Sequence, residues 1–493
     1  GLKGIQAQTL EEFRKAQQEE MRKMLKQQQK GVNDLSESYE FYRIQENKAF
    51  VTYLKKEWKA YKSFQARKVE NEDKPVTVPI AKPKRKKRVL AIKRDKVNRI
   101  VVPIKTIQPK VKRDDSKILI IPDKNKGEID KDFGNNLAFQ FYGTPISLDV
   151  PSQWHYNVEQ KDLNAQTISD AFDYWSQIND VAFVERMKEY RHNLNLNDWG
   201  FYMLLSTCAE HFYPKNETSR VLWTWYMMVY SGFDARIGYS KEQVTLLLPT
   251  DMEVYRRSYL RIGEQRYYVM ASKGGEWFTY DKPNNAAKNV VRLEFDRPLD
   301  LPESLATRDV AFKYNKKPYN FTVSYNKNLI DFYNDYPVVA VSQHFVAPVS
   351  DQMVTSLDKN IKKEVDHFTT AKEKTAFLLQ FVQNAFPYKR DVEQFGKEKY
   401  FYVEEMFAYP FSDCEDRSVL LSFLVDHYVG LDRVGVWSPG HMFVAVDLDP
   451  SIGDGVYYHQ KRYTVCDPTY EGAGVGRGMP DAMKSKITLI PCP

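Results

Sequence analysis

Three side chains near the C-terminal end have the types and order of a thiol nucleophile site: Cys414 in SDCEDRSVLL, His441 in SPGHMFVAV and Asp467 in YTVCDPTY. A thiolate attacks a carbonyl carbon, an imidazole takes the thiol proton and returns it to the leaving group, and a carboxylate fixes the imidazole tautomer. The chemistry such a set performs is acyl chemistry, at a peptide or amide bond. His427 is excluded as the base, because it stands on the same expected helix as Cys414 and about 20 Å along its axis.

The elements that must position these groups are legible around them. Tyr409 to Gly430 reads as a polar turn feeding a largely buried helix. Ser412 and Asp413 are helix-capping residue types, Glu415 and Asp416 put acid in the first turn, Val419, Leu420, Phe423 and Leu424 supply a core face, and Gly430 supplies the stop. The thiol then sits at the positive end of a helix, where thiolate is favoured. The competing reading of Cys414 is a small apolar filler, since free cysteine is among the most buried residue types. His441 follows a Ser-Pro-Gly turn and opens an alternating strand, and Asp467 ends a second strand just before Pro468.

DCEDRSVLL, GHMFVAV and YTVCDPTY resemble the three core motifs of the transglutaminase-like superfamily of papain-like cysteine enzymes, over roughly Lys359 to Pro480. The resemblance implies an α+β catalytic domain with a helix-borne nucleophile at Cys414, packed on an antiparallel sheet that carries His441 and Asp467. It implies protease, amidase or acyl-transfer chemistry, with no metal and no cofactor. The chain departs from the papain pattern where an oxyanion glutamine would stand, because Phe407, Ala408 and Tyr409 occupy that place. Tyr388, Gln394, Tyr400 and Tyr402 are the candidates for the second oxyanion donor, with none singled out.

A second stretch reads like the first. Placed without gaps, Asn216 to Ser240 lies against Cys414 to Ser438, and Glu217, Val221, Leu222, Tyr230, Gly232, Asp234 and Ser240 meet identical residues. The register sets Asn216 opposite Cys414 and Gln243 opposite His441, and EWFTYDKP resembles KRYTVCDP with Asp281 near Asp467. The expectation is an internal repeat whose first copy lacks nucleophile and base and can only scaffold or bind.

At 493 residues the chain has room for about three domains. The expected order is an N-terminal helical arm (1–69), a basic Pro/Lys-rich linker (70–125), a degenerate transglutaminase-like domain (126–289), a small β unit (290–350) and the catalytic domain (351–493). Helical stretches are expected from Thr9 to Gln29 and from Ser36 to Phe64, strands at Ile118 to Ile121 and Leu137 to Val150, and strands again in NVVRLEFDRPLD, VAFKYNKKPYNFTVSYN and PVVAVSQHFVAP. A hydrophobic share of 42% marks a globular chain, and no apolar run approaches the roughly 20 residues of a membrane helix. The apolar Val221 to Phe233 reads as a buried helix.

The formal net charge of +7 and the run PIAKPKRKKRVLAIKR permit contact with anionic envelope polymers. Nucleic acid is disfavoured, since no aromatics interleave the run to stack on bases. A solvated connector is the default. Cys208 and His211 could form half a metal site, but with no second pair core packing is preferred. A Cys466 to Cys492 bridge is the alternative to the preferred reading of free, buried thiols.

The layout resembles secreted bacterial envelope proteins, implying a periplasmic or secreted location with the signal peptide removed. A cytoplasmic location stays open. The leading reading is a cysteine peptidase or amidase acting on a peptide, protein or cell-wall substrate, with hydrolysis preferred over transfer because no second amine-binding motif is visible. The alternative is a non-catalytic envelope binding or assembly protein with a vestigial triad.

Overall fold

The computed structural model describes residues 39–56, 62–65, 67–68, 80–81, 136–150, 152–178, 181–240, 243–271 and 276–492. A helix over residues 39–56 is followed by strands β1 (Lys62–Gln65) and β2 (Arg67–Lys68) and the hairpin β3 (Asn136–Phe141) and β4 (Thr144–Asp149). Helices Ala165–Ser176, Val181–Asn193, Asp198–Phe212 and Glu217–Tyr230 lead into β5 (Arg236–Tyr239), β6 (Val244–Thr250), β7 (Ser258–Ile262), β8 (Gln265–Val269) and β9 (Glu276–Thr279). After the hairpin β10 (Leu305–Tyr314) and β11 (Lys317–Asn326) come several short helices, then the Ala371–Ala385 and Cys414–Val429 helices. The chain ends in β12 (Arg433–Ser438), β13 (His441–Val446), β14 (Gly455–Tyr458), β15 (Lys461–Cys466) and β16 (Thr488–Cys492).

The fold is mixed α and β, with two curled sheets. The second sheet runs β14-β15-β13-β12-β16, all antiparallel, and the first contains β7-β8-β6-β5-β9, also antiparallel, extended by β2 beyond β7 and β1 beyond β9. Strand order and connectivity are therefore the same in both halves. The register agrees as well: Arg236 pairs with Leu247 and Tyr239 with Val244, while their gapless counterparts Val434 and Ala445, and Trp437 and Met442, pair likewise. Shifting one strand by a single residue would turn its core face outward, so matching registers mean matching faces.

Each half has its own core. In the first, Leu222, Trp223, Trp225, Tyr226, Met227 and Met228 of the Glu217–Tyr230 helix are buried. In the second, Val419, Leu420, Leu421, Leu424 and Val425 of the Cys414–Val429 helix are buried among Phe377, Phe381, Met442 and Val444. At about 1.5–3 kcal/mol for each large apolar side chain removed from water, these contacts hold the nucleophile-bearing helix in place.

The β10–β11 hairpin has no separate core, since Val310, Phe312, Phe321 and Val323 pack into the core of the second half. Two strand expectations in this region fail. Residues 290–300 form no regular element, and Val341–Val346 is a short helix whose Phe345 joins the same core. The first helix also ends before Phe64, which lies in β1 opposite Trp277. Pairing with β9 offered this segment a sheet edge, and that outweighed helix propensity. The helical expectation for Thr9 to Gln29, the bulk of the basic linker and Ile118 to Ile121 lie outside the described residues.

Candidate active site

Cys414 is the first residue of its helix and is fully buried. Asp413 is the N-cap, in a capping box with Asp416, and the helix stops at Gly430, whose φ of 68° is left-handed. A Cβ at Gly430 would meet nothing within 4 Å, so glycine is needed there for its backbone and not for space.

His441 opens β13 directly after a tight hairpin turn in which Ser438 pairs with His441 and Gly440 takes a φ of 72°. Its Nε2 lies 2.9 Å from Asp467 Oδ2. The Asp467 carboxylate is held in turn by backbone amides: Oδ1 accepts from Thr469 (3.0 Å) and Tyr470 (3.1 Å), and Oδ2 also accepts from Met479 (3.3 Å). With Nε2 committed to Asp467, Nδ1 is left as the ring atom able to take a proton. That atom is buried and bonded to no described group. Burial works against the imidazolium, but Asp467, with Glu415 adding, more than offsets it, and His441 titrates above the ordinary histidine range.

The Cys414 thiol donates to Glu415 Oε2 at 2.8 Å, so Nδ1 is not its partner in this conformation. Glu415 is itself buried.

Two buried polar side chains tie the loops of the site together. Gln383, on the Ala371–Ala385 helix, donates to the carbonyls of Asp467 (2.8 Å), Tyr470 (3.0 Å) and Ala473 (3.0 Å). Arg417, one turn after Cys414, donates to Ser412 Oγ (3.3 Å), to the Pro468 carbonyl (3.3 Å) and to the Phe386 carbonyl. Neither was singled out from sequence. The available signal was a glutamine and an arginine on helix faces otherwise apolar.

Among the oxyanion candidates, Tyr388 and Gln394 meet the turn that leads into Cys414. Tyr388 bridges to Ser412 and lies under the Arg417 guanidinium, and Gln394 Nε2 is 3.5 Å from the Phe411 carbonyl. Tyr400 and Tyr402 are instead built into aromatic packing, Tyr400 against Tyr255 and His344, and Tyr402 stacked on Tyr333 and His344. Asp391, Asp413 and Asp416 bring carboxylate oxygens within 4.8 Å of one another. They accept from loop and turn amides, Asp391 from Lys399 and Asp416 from Phe401 and Asp413, and so shape the turn before the nucleophile.

In the first half, Asn216 caps its helix from outside by accepting the Ser219 amide at 2.9 Å, and the helix begins one residue later than the gapless register implies. Gln243 occupies the position of His441, with its carbonyl bonded to the Ser240 amide. Asp281 does not correspond to Asp467. It follows β9, which pairs with β5 as β16 pairs with β12, whereas β15 has its counterpart in β8. Leu247 pairs with Val269 as Ala445 pairs with Val465, so Ala271 takes the place of Asp467. The likeness of EWFTYDKP to KRYTVCDP is local, and strand pairing decides the matter. All four cysteines are buried and none forms a disulfide, so Cys466 and Cys492 are not bridged, and Cys208 sits in the core.

Comparison of the chain with protein-family models, with curated proteins and with solved structures returned no match.

Proposed function

We propose that the chain is a transglutaminase-like cysteine peptidase or amidase in which Cys414 attacks an acyl or amide carbonyl, His441 moves the proton and Asp467 orients the imidazole. The observation that carries this reading is the His441–Asp467 bond through Nε2, which leaves a buried, unbonded Nδ1 on the first residue of β13, the strand against which the helix that opens with Cys414 packs. In the reaction, the S–H proton passes to Nδ1 as sulfur bonds to the carbonyl carbon. The oxyanion is met by amides of the helix start, and the leaving amine takes the proton from His441. Water then attacks the thioester with His441 again as base, releasing the acid and the free thiol.

The sealed position of Cys414 favours the second reading, a binding protein with an idle triad. Under the enzyme reading, the site opens when substrate arrives. The substrate class we assign is an extracytoplasmic peptide, protein or cell-wall amide. Among the described residues no helix is long and apolar enough to cross a membrane.

Labelling with iodoacetamide at neutral pH separates the two readings. The enzyme reading expects Cys414 to react faster than Cys208, Cys466 and Cys492, and His441→Ala to abolish the difference. Equal rates for all four thiols support the binder. Hydrolytic turnover that survives in Cys414→Ala sinks the enzyme reading.

A further inference from the structure

The hydrogen bond from Cys414 to Glu415 is not one the triad requires. A carboxylate against the nucleophilic sulfur disfavours thiolate, opposing the helix N-terminus that favours it. The contact is built in: Glu415 is buried, it accepts from the sulfur at 2.8 Å, and it follows the nucleophile directly on the first turn of the helix. His441 Nδ1, the ring atom that the triad reading assigns as base, has no hydrogen-bond partner among the described residues. The thiol proton thus points to Glu415, a group that the triad chemistry does not use, and not to the base.

We propose that Glu415 is a latch on the nucleophile. It shifts Cys414 toward the neutral thiol in the resting site without excluding the released form that iodoacetamide meets, and the reaction begins when the sulfur turns about its Cα–Cβ bond away from Glu415 and toward His441 Nδ1. The S–H bond breaks only in that second position, with the proton going to Nδ1 and the electron pair remaining on sulfur for attack. Other charged groups bear on the same atoms. Arg417 lies within electrostatic reach of Cys414, and Asp467 and Glu415 both favour the charged form of His441. Glu415 therefore acts in the same direction on both groups, retaining a proton on each. A closed site that holds its thiol neutral is protected against oxidation until substrate displaces the latch.

This inference rests on the triad reading for its consequence but not for its test. The thiolate midpoint is followed by ultraviolet absorbance across pH in full-length protein and in Glu415→Gln, each with and without His441→Ala, with Cys414→Ala subtracted. Glu415→Gln keeps the shape and removes the charge. The expected result is a midpoint lower by about one pH unit or more in both backgrounds, and alkylation at about pH 6 that is several-fold faster. Glu415→Asp, which draws the carboxylate back by one methylene, moves the midpoint the same way and serves if the glutamine variant folds poorly. An unchanged or raised midpoint in both backgrounds overturns the latch. Failure of the triad has a different signature, since His441→Ala would then leave Cys414 unaltered while Glu415→Gln still shifted it.

Discussion

His441 Nε2 lies 2.9 Å from Asp467 Oδ2, while Asp467 Oδ1 accepts the Thr469 and Tyr470 amides. One carboxylate oxygen thus sets the imidazole, and the other ties the carboxylate to its own loop. Asp467→Asn keeps the size of the side chain but offers an amide that can present the wrong group to Nε2. Hydrolytic kcat is expected to fall by about 10³-fold or more, with KM changed little, in steady-state assays on any substrate found.

The same pair predicts a pH dependence of stability. His441 titrates higher in the folded protein than in the unfolded chain because Asp467, with Glu415, outweighs its burial. A raised histidine stabilises the fold fully below the unfolded value, near pH 6.5, and that contribution disappears as pH rises through the folded value. The melting temperature of Asp467→Asn should therefore fall furthest below wild type at about pH 5.5 to 6.5, and the gap should narrow toward alkaline pH. A gap that widens with pH contradicts the assignment.

Gln383 supplies a donor to three carbonyls around the Asp467 loop. Gln383→Ala leaves buried acceptors unpaired, at a cost of about 1–3 kcal/mol in urea unfolding. Activity is expected to drop with it, because the loop that carries Asp467 loses its anchor.

Arg417→Lys tests whether the guanidinium fork matters. Lysine keeps the charge but cannot span Ser412, Pro468 and Phe386 in one plane. A lower urea midpoint and slower turnover are expected, and stability equal to wild type would show that the tie is dispensable.

Asn216→Ala separates the halves. The change removes an N-cap, worth about 1 kcal/mol of stability, and touches no part of the triad. The unfolding midpoint should fall while kcat/KM per folded molecule stays at the wild-type value.

What the sequence determined by itself was local. The helix from Cys414 with its caps, the Ser-Pro-Gly hairpin that delivers His441, and the parallel run of Asn216 to Ser240 all follow from periodicity and turn chemistry within a short window. What only the tertiary structure decided was which distant segments meet. Asp281 resembles Asp467 in its tripeptide setting, yet β9 joins the opposite side of the sheet, and Ala271 holds the equivalent place. Phe64 went to a strand because β9 offered an edge, and Val341–Val346 became a helix that places Phe345 in the core of the second half. Gln383 stands in no motif, and the motif that contains Glu415 and Arg417 does not mark either for its role. Their roles arise because packing buries them, and a buried polar group must find partners wherever the fold brings carbonyls, amides or a thiol within reach.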